Sequence, residues 1–178
     1  MDQAIVACST PPGRGAISVV RISGKEAKSI INNLFSLEFD HGTSKVAETS
    51  LSEGFNEKCL ISCFEGPSSY TGEDVAEISC HGNPLIVRAL IQKCIELGAR
   101  NANPGEFTQR AFLNNKIDLA QSEAVIDLIN ASSRAAMVAA SKSVSGNFGE
   151  NVEKILESLR KVRKRIRIRV LKKVVLVF

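Results

Sequence analysis

The sequence predicts an α+β domain over residues 1–117, followed by the start of a helical domain over 118–160 and an aberrant basic tail over 161–178. Three observations predict this. Up to residue 117, short apolar runs bounded by Gly, Pro and Asn alternate with capped amphipathic stretches. From Asp118 onward the strand-like runs stop, and apolar residues recur at spacings of three and four. The last residues, RKRIRIRVLKKVVLVF, then lose helical spacing altogether.

Residues 3–8 and ISVVRI (17–22) read as strands flanking a Pro/Gly loop, TPPGRGA. Ser23-Gly24-Lys25-Glu26 has the form of a capping box, and the helix after it places Ala27, Ile30, Ile31, Leu34 and Phe35 on one face. Residues 46–52 and 58–64 are expected to form a hairpin joined by GFNEK. GPSSYTGED reads as a loop and VAEISC (75–80) as a strand. Asn83 is an N-cap with Pro84 at the first helical position, because a proline there gives up an N–H that has no helical partner anyway. Ile86, Val87, Leu90, Ile91, Cys94 and Ile95 form its apolar stripe, and Gly98 ends it. Asn103-Pro104-Gly105 is a turn before a short helix, EFTQRAFLNN. Asp118 and Gln121 match a second capping box, and the rest reads as helix. Phe148, Val152, Ile155, Leu159, Val162 and Ile166 form a heptad stripe of the kind that packs on a partner helix.

Bulk properties narrow the function. No apolar run is long enough to span a membrane, and the N-terminus lacks a basic stretch ahead of an apolar one, so neither a membrane protein nor a signal peptide is expected. Five cysteines (8, 59, 63, 80 and 94), an odd number without CxxC pairs, fit buried thiols in a reducing cytoplasm. The formal charge of +4 misleads, because residues 160–178 hold nine of the 23 Lys and Arg and no acid. Residues 1–159 carry 14 basic and 19 acidic groups, which does not describe a nucleic-acid binder. The tail has three readings: a nucleic-acid-binding segment, a membrane-surface segment, or an artefact of truncation or frameshift. The artefact ranks first, since VVLVF is an unguarded aggregation-prone end.

The usual catalytic devices are missing from the pattern. A phosphate-binding loop needs GxxxxGK[ST]; the one Gly-Lys pair, Gly24-Lys25, is followed by Glu26 and has Val19 where the first Gly belongs. Asn115-Lys116-Ile117-Asp118 matches a guanine-reading NKxD, but a helix end with Asp118 as the next N-cap accounts for it better. Cys59, Cys63, Cys80 and His81 lack zinc spacing and read as core thiols and a structural His. A site for a small polar heterocycle remains, since a carboxylate can accept the paired N–H donors of a pterin or guanine edge. Glu77 in VAEIS and Arg21 in VVRIS are mid-strand charges that read either as solvated-face residues or as ligand contacts.

TPPGRGAISVVRISG, GPSSYTGEDVAEISCHGNP and NPGEFTQRAFLNNKIDLAQSEAVIDLINA closely resemble the N-terminal part of the tRNA-modification GTPase family (MnmE/TrmE), in the same order from residue 3 to about 160. The resemblance implies a mixed sheet with packed helices, similar to the folate-binding domain of the glycine-cleavage aminomethyltransferase. It implies a homodimer formed through this domain, with 5-formyl- or 5,10-methylene-tetrahydrofolate bound near the dimer interface. The family's folate-contacting residues match Arg21, Glu77 and Lys116, with Glu77 on the pterin edge and the two cations on folate carbonyl or carboxylate groups. Asn115 stands where the family often has Gly. GTP, potassium and magnesium belong to the full-length family, whose GTPase domain is inserted in the helical domain. A flavoprotein partner joins it to modify the wobble uridine of tRNA. This sequence lacks the GTPase motifs and is expected to be inactive as a GTPase by itself. The competing expectations are a ligand-free dimerisation module, a free-standing one-carbon transferase and a tRNA binder acting through the tail.

Overall fold

The computed structural model describes residues 3–40, 42–146, 152 and 154–164. The chain divides into two compact units, Met1–Lys116 and Ile117–Phe178.

The first unit is an α+β fold built on a mixed six-stranded sheet. Strands β1 (Ile5–Cys8), β2 (Gly15–Ser23), β3 (Ser44–Ser52), β4 (Phe55–Phe64), β5 (Val75–Gly82) and β6 (Arg100–Asn101) lie in the order β3-β4-β5-β2-β1-β6. All neighbours are antiparallel except β1 and β6. Helices α1 (Ala27–Phe35) and α2 (Pro84–Glu96) cover one face. The two-residue period of a strand sends Val20 and Ile22, Cys59, Ile61 and Cys63, and Ala76, Ile78 and Cys80 into that core. Helix α1 buries Ala27, Ile30, Ile31, Leu34 and Phe35, the five residues expected from the sequence, and the three thiols read as core are each at most 4% exposed. At about 25 cal/mol per Å² of apolar surface, this helix-on-sheet layer is the main source of the unit's stability.

Local signals were decided by tertiary partners in two places. The capping box at Ser23–Glu26 does not form: Glu26 is the N-cap without a side-chain bond. The Ser23 hydroxyl instead bonds Thr71 Oγ1 at 2.7 Å and Glu73 Oε2 at 2.9 Å. The β3–β4 hairpin is also tighter than GFNEK implied, because Phe55, Asn56 and Glu57 are already paired in β4 and Gly54 turns the chain at φ +75°. Asn83 caps α2 as expected, its side chain accepting from Leu85 N.

Helix α3 (Glu106–Leu113) follows β6. In the second unit, α4 (Leu119–Asn130) opens with the full Asp118–Gln121 capping box. The helix then breaks, and Ser133 caps α5 (Arg134–Val144). Residues 154–164 are helical, with Ile155, Leu159 and Val162 exposed. Phe148 and Ile166 of the heptad stripe, and the tail from residue 165, lie outside the described residues. Among the described residues no helix is long and apolar enough to cross a membrane.

Candidate functional site

The sheet face opposite α1 and α2 is where the two mid-strand charges meet. Strand register places Arg21 beside Glu77, and Glu77 beside Ser62, in one row across β2, β5 and β4. Arg21 donates to Glu77 Oε1 from Nε at 2.8 Å and from Nη2 at 2.7 Å. Both side chains are about three-quarters buried, at 24% and 28% exposure. Among the described residues no group donates to Glu77 Oε2, so half of this carboxylate is open to a further donor. The neighbouring row, Val19, Ser79, Leu60 and Val46, is mostly apolar.

Two aromatic rings wall the pair. The Arg21 guanidinium lies 5.1 Å from the Tyr70 ring centroid and 5.7 Å from that of Phe107, within cation–π range. Tyr70 belongs to the loop over residues 65–74, and its hydroxyl bonds Thr108 Oγ1 at 2.9 Å. Neither ring was singled out in the sequence; the available signal was their place inside GPSSYTGED and NPGEFTQRAFL.

Lys116 is exposed and contacts neither charge. Its ammonium donates to the Pro67 carbonyl at 2.8 Å, and its side chain lies against Gly72, where an added Cβ would come within 3.0 Å of Lys116 Cγ. It therefore borders the same loop that carries Tyr70. The chain reaches it through Asn115 at φ +57°, a left-handed conformation that Asn tolerates better than most residues and Gly best. The structure thus joins Arg21 and Glu77 directly and connects Lys116 to them only through the loop.

Beneath the loop lies a buried polar network. Arg110, 1% exposed, donates to Glu73 Oε2 at 2.7 Å and to the carbonyls of Gln3 at 2.9 Å and Ser23 at 3.4 Å. Glu106 bonds Arg100 through both oxygens and accepts from Asn103 N at 2.8 Å. The hydrogen bonds from Arg100 hold the Glu106 carboxyl down to about 2, with the Asn103 N–H and the charges of Arg100 and Arg110 adding to them against the opposing effect of burial.

Two other features lie apart from the pair. A cleft of about 570 Å³ runs between the Pro11-Pro12-Gly13 loop and α2, with Cys8, Arg88 and Ile91 on its walls, and none of Arg21, Glu77 or Lys116 lines it. His81, read from the sequence as structural, has its Nδ1 at 2.8 Å from Oε1 of the buried Glu57. Burial pushes the thiols of Cys59 and Cys94 up to about 12, which suits core packing rather than nucleophilic chemistry.

The family profile described as GTP-binding protein TrmE N-terminus matches residues 4–116. The tRNA modification GTPase MnmE of Francisella philomiragia is 46% identical over 155 residues, which is 87% of this chain and 34% of that protein. Its counterpart in Francisella tularensis strain SCHU S4 is 45% identical over the same shares. The chain therefore spans about a third of the length of the curated relatives it matches.

Proposed function

Because the chain belongs to the TrmE N-terminus family, we propose that its first unit is the folate-binding and dimer-forming domain of a tRNA wobble-uridine modification enzyme. The observation that carries this reading is the largely buried Arg21–Glu77 pair, walled by Tyr70 and Phe107 on the sheet face that α1 and α2 leave uncovered. A pterin is flat, polar at one edge and rich in N–H donors. Glu77 Oε2 suits that edge, the aromatic rings suit its faces, and Arg21 and Lys116 suit folate oxygens. When bound, 5-formyl- or 5,10-methylene-tetrahydrofolate supplies a one-carbon unit; the residues named here bind and orient it. GTP hydrolysis, the flavoprotein partner and action on tRNA belong in this proposal to the longer protein, not to the site described.

Dimerisation is supported by exposed apolar side chains on the same sheet face: Ile17, Val46, Leu60 and Phe64 are 38–66% exposed. A second reading, a dimerisation module with no ligand, draws on the way Arg21 already pairs with Glu77 Oε1.

Calorimetric titration with 5-formyltetrahydrofolate separates the two. The folate reading expects saturable binding to the wild-type chain, weakened about ten- to a hundredfold by Glu77→Ala through loss of a charged hydrogen bond. A folded dimer that takes up no folate, with self-association indifferent to the Arg21→Ala/Glu77→Ala double substitution, selects the ligand-free module.

A further inference from the structure

The loop over residues 65–74 reads EGPSSYTGED, and Tyr70 is its single large apolar side chain. Burial of apolar surface cannot fix such a segment, because it has almost none to bury. Its position must come from polar contacts, among them Gly24 N to the Asp74 carbonyl at 2.9 Å and Tyr70 Oη with Thr108 Oγ1 at 2.9 Å. Asn114 Nδ2 donates to the Thr71 carbonyl at 2.7 Å and Lys116 to that of Pro67 at 2.8 Å. Thr71, fully buried, bonds the buried Ser23 hydroxyl. Glu73 Oε2 takes both Ser23 Oγ, at 2.9 Å, and Arg110 Nη1, at 2.7 Å.

The Glu73–Arg110 contact differs from the others in kind. Arg110 sits in α3, three residues after Phe107 and two after Thr108, the residues that meet Arg21 and Tyr70. Its guanidinium also holds the carbonyl that ends β2, two residues past Arg21. One buried cation therefore ties together the strand bearing Arg21, the loop bearing Tyr70 and the helix bearing Phe107. A buried ion pair is weak evidence for stability, since well-packed apolar residues often serve as well; its better-attested use is to fix one arrangement among several. Among the described residues Arg110 Nε has no hydrogen-bond partner.

The geometry points to Glu73 and Arg110 as positioning residues: their buried ion pair sets the Tyr70 ring against the Arg21 guanidinium and so shapes the aromatic wall of the candidate site. Neither residue has to touch a ligand. Only the ligand arm of the test below rests on the folate reading; the Tyr70 arm does not.

The chain carries its own reporter, because Tyr70 is the single tyrosine and there is no tryptophan. Tyrosine fluorescence of the full chain therefore reads this ring alone. Glu73→Gln keeps the shape and removes the charge. In the folded variant, checked by far-ultraviolet circular dichroism, acrylamide quenching of Tyr70 is expected to rise roughly twofold and its anisotropy to fall, as the ring is released from its ordered place. Glu48→Gln, an exposed change on β3, is expected to leave both unchanged. The affinity for 5-formyltetrahydrofolate should fall about tenfold in Glu73→Gln and stay level in Glu48→Gln. A lowered melting temperature with wild-type quenching and anisotropy below the transition makes the pair merely structural and overturns the proposal. If Glu73→Gln does not fold, Glu73→Asp, which keeps the charge but shortens the arm, is read by the same criteria. If wild type binds no folate while Tyr70 is loosened as described, the positioning claim stands and the folate reading falls.

Discussion

Replacing Arg110 with methionine tests the energetics of the first unit at their least forgiving point. Methionine fills an irregular buried slot flexibly, so the chief loss is the charge and its hydrogen bonds. Removing one member of a buried ion pair costs about 3–5 kcal/mol, because the partner is left charged in a poor solvent. Two features pull the cost toward the lower end. Glu106 keeps Arg100 and the Asn103 N–H, and Glu73 keeps the Ser23 hydroxyl and is 19% exposed. Against that, the Gln3 and Ser23 carbonyls lose a donor. The expected cost is about 3 kcal/mol, equivalent to a fall of roughly 10–20 °C in melting temperature for a unit of this size. Urea unfolding followed through the lone tyrosine reads the first unit specifically, since Tyr70 lies within it. Adding Glu73→Gln to Arg110→Met should restore about 1 kcal/mol by removing the stranded carboxylate. A cost below about 1 kcal/mol for Arg110→Met, or strict additivity of the two changes, would refute the reasoning.

Other outcomes follow from the same geometry. Glu106 is held at about 2 when folded against an ordinary value of 4.5, so the unfolded chain takes up its proton more readily. The stability it contributes is complete above about 4.5 and lost as pH falls through about 2; urea midpoints measured down this range should drop, and Glu106→Gln should flatten that part of the profile. Gly82→Ala places a Cβ 2.5 Å from the Gly15 carbonyl oxygen, a backbone atom in the neighbouring strand, and should cost about 1–3 kcal/mol. Gly15→Ala meets nothing closer than 3.8 Å and should change stability by less than about 0.5 kcal/mol in the same thermal melts. Native iodoacetamide treatment followed by mass measurement should add one label, at half-buried Cys8, and all five only after denaturation, since Cys59, Cys63, Cys80 and Cys94 are buried with raised thiol values.

The sequence was most readable where a residue's fate is settled by its near neighbours. The buried face of α1, the Asn83-Pro84 start of α2 and the Asp118–Gln121 box all depend on residues within a few positions of one another, and each formed as expected. The Ser23–Glu26 box has equally good local credentials and failed, because Thr71 and Glu73, some fifty residues away, claim the Ser23 hydroxyl. The break between α4 and α5 was missed for a related reason. Ser133 can sit inside a helix or cap one, and a spacing of apolar residues does not choose between these. For the candidate site, Arg21 and Glu77 were visible separately as charges in mid-strand. Their pairing was not, because it depends on the register of β2 on β5. Tyr70, Phe107 and the Glu73–Arg110 pair were invisible for the same reason: only the tertiary path of the 65–74 loop and the placing of α3 bring these residues together around Arg21.

The most direct trial of the central claim is a crystal structure of this chain grown with 5-formyltetrahydrofolate. The account predicts the pterin edge within hydrogen-bonding distance of the Glu77 carboxylate and its ring beside Tyr70 or Phe107. Folate found instead in the cleft beside Cys8 and Arg88, or bound with the Arg21–Glu77 pair untouched, would contradict it.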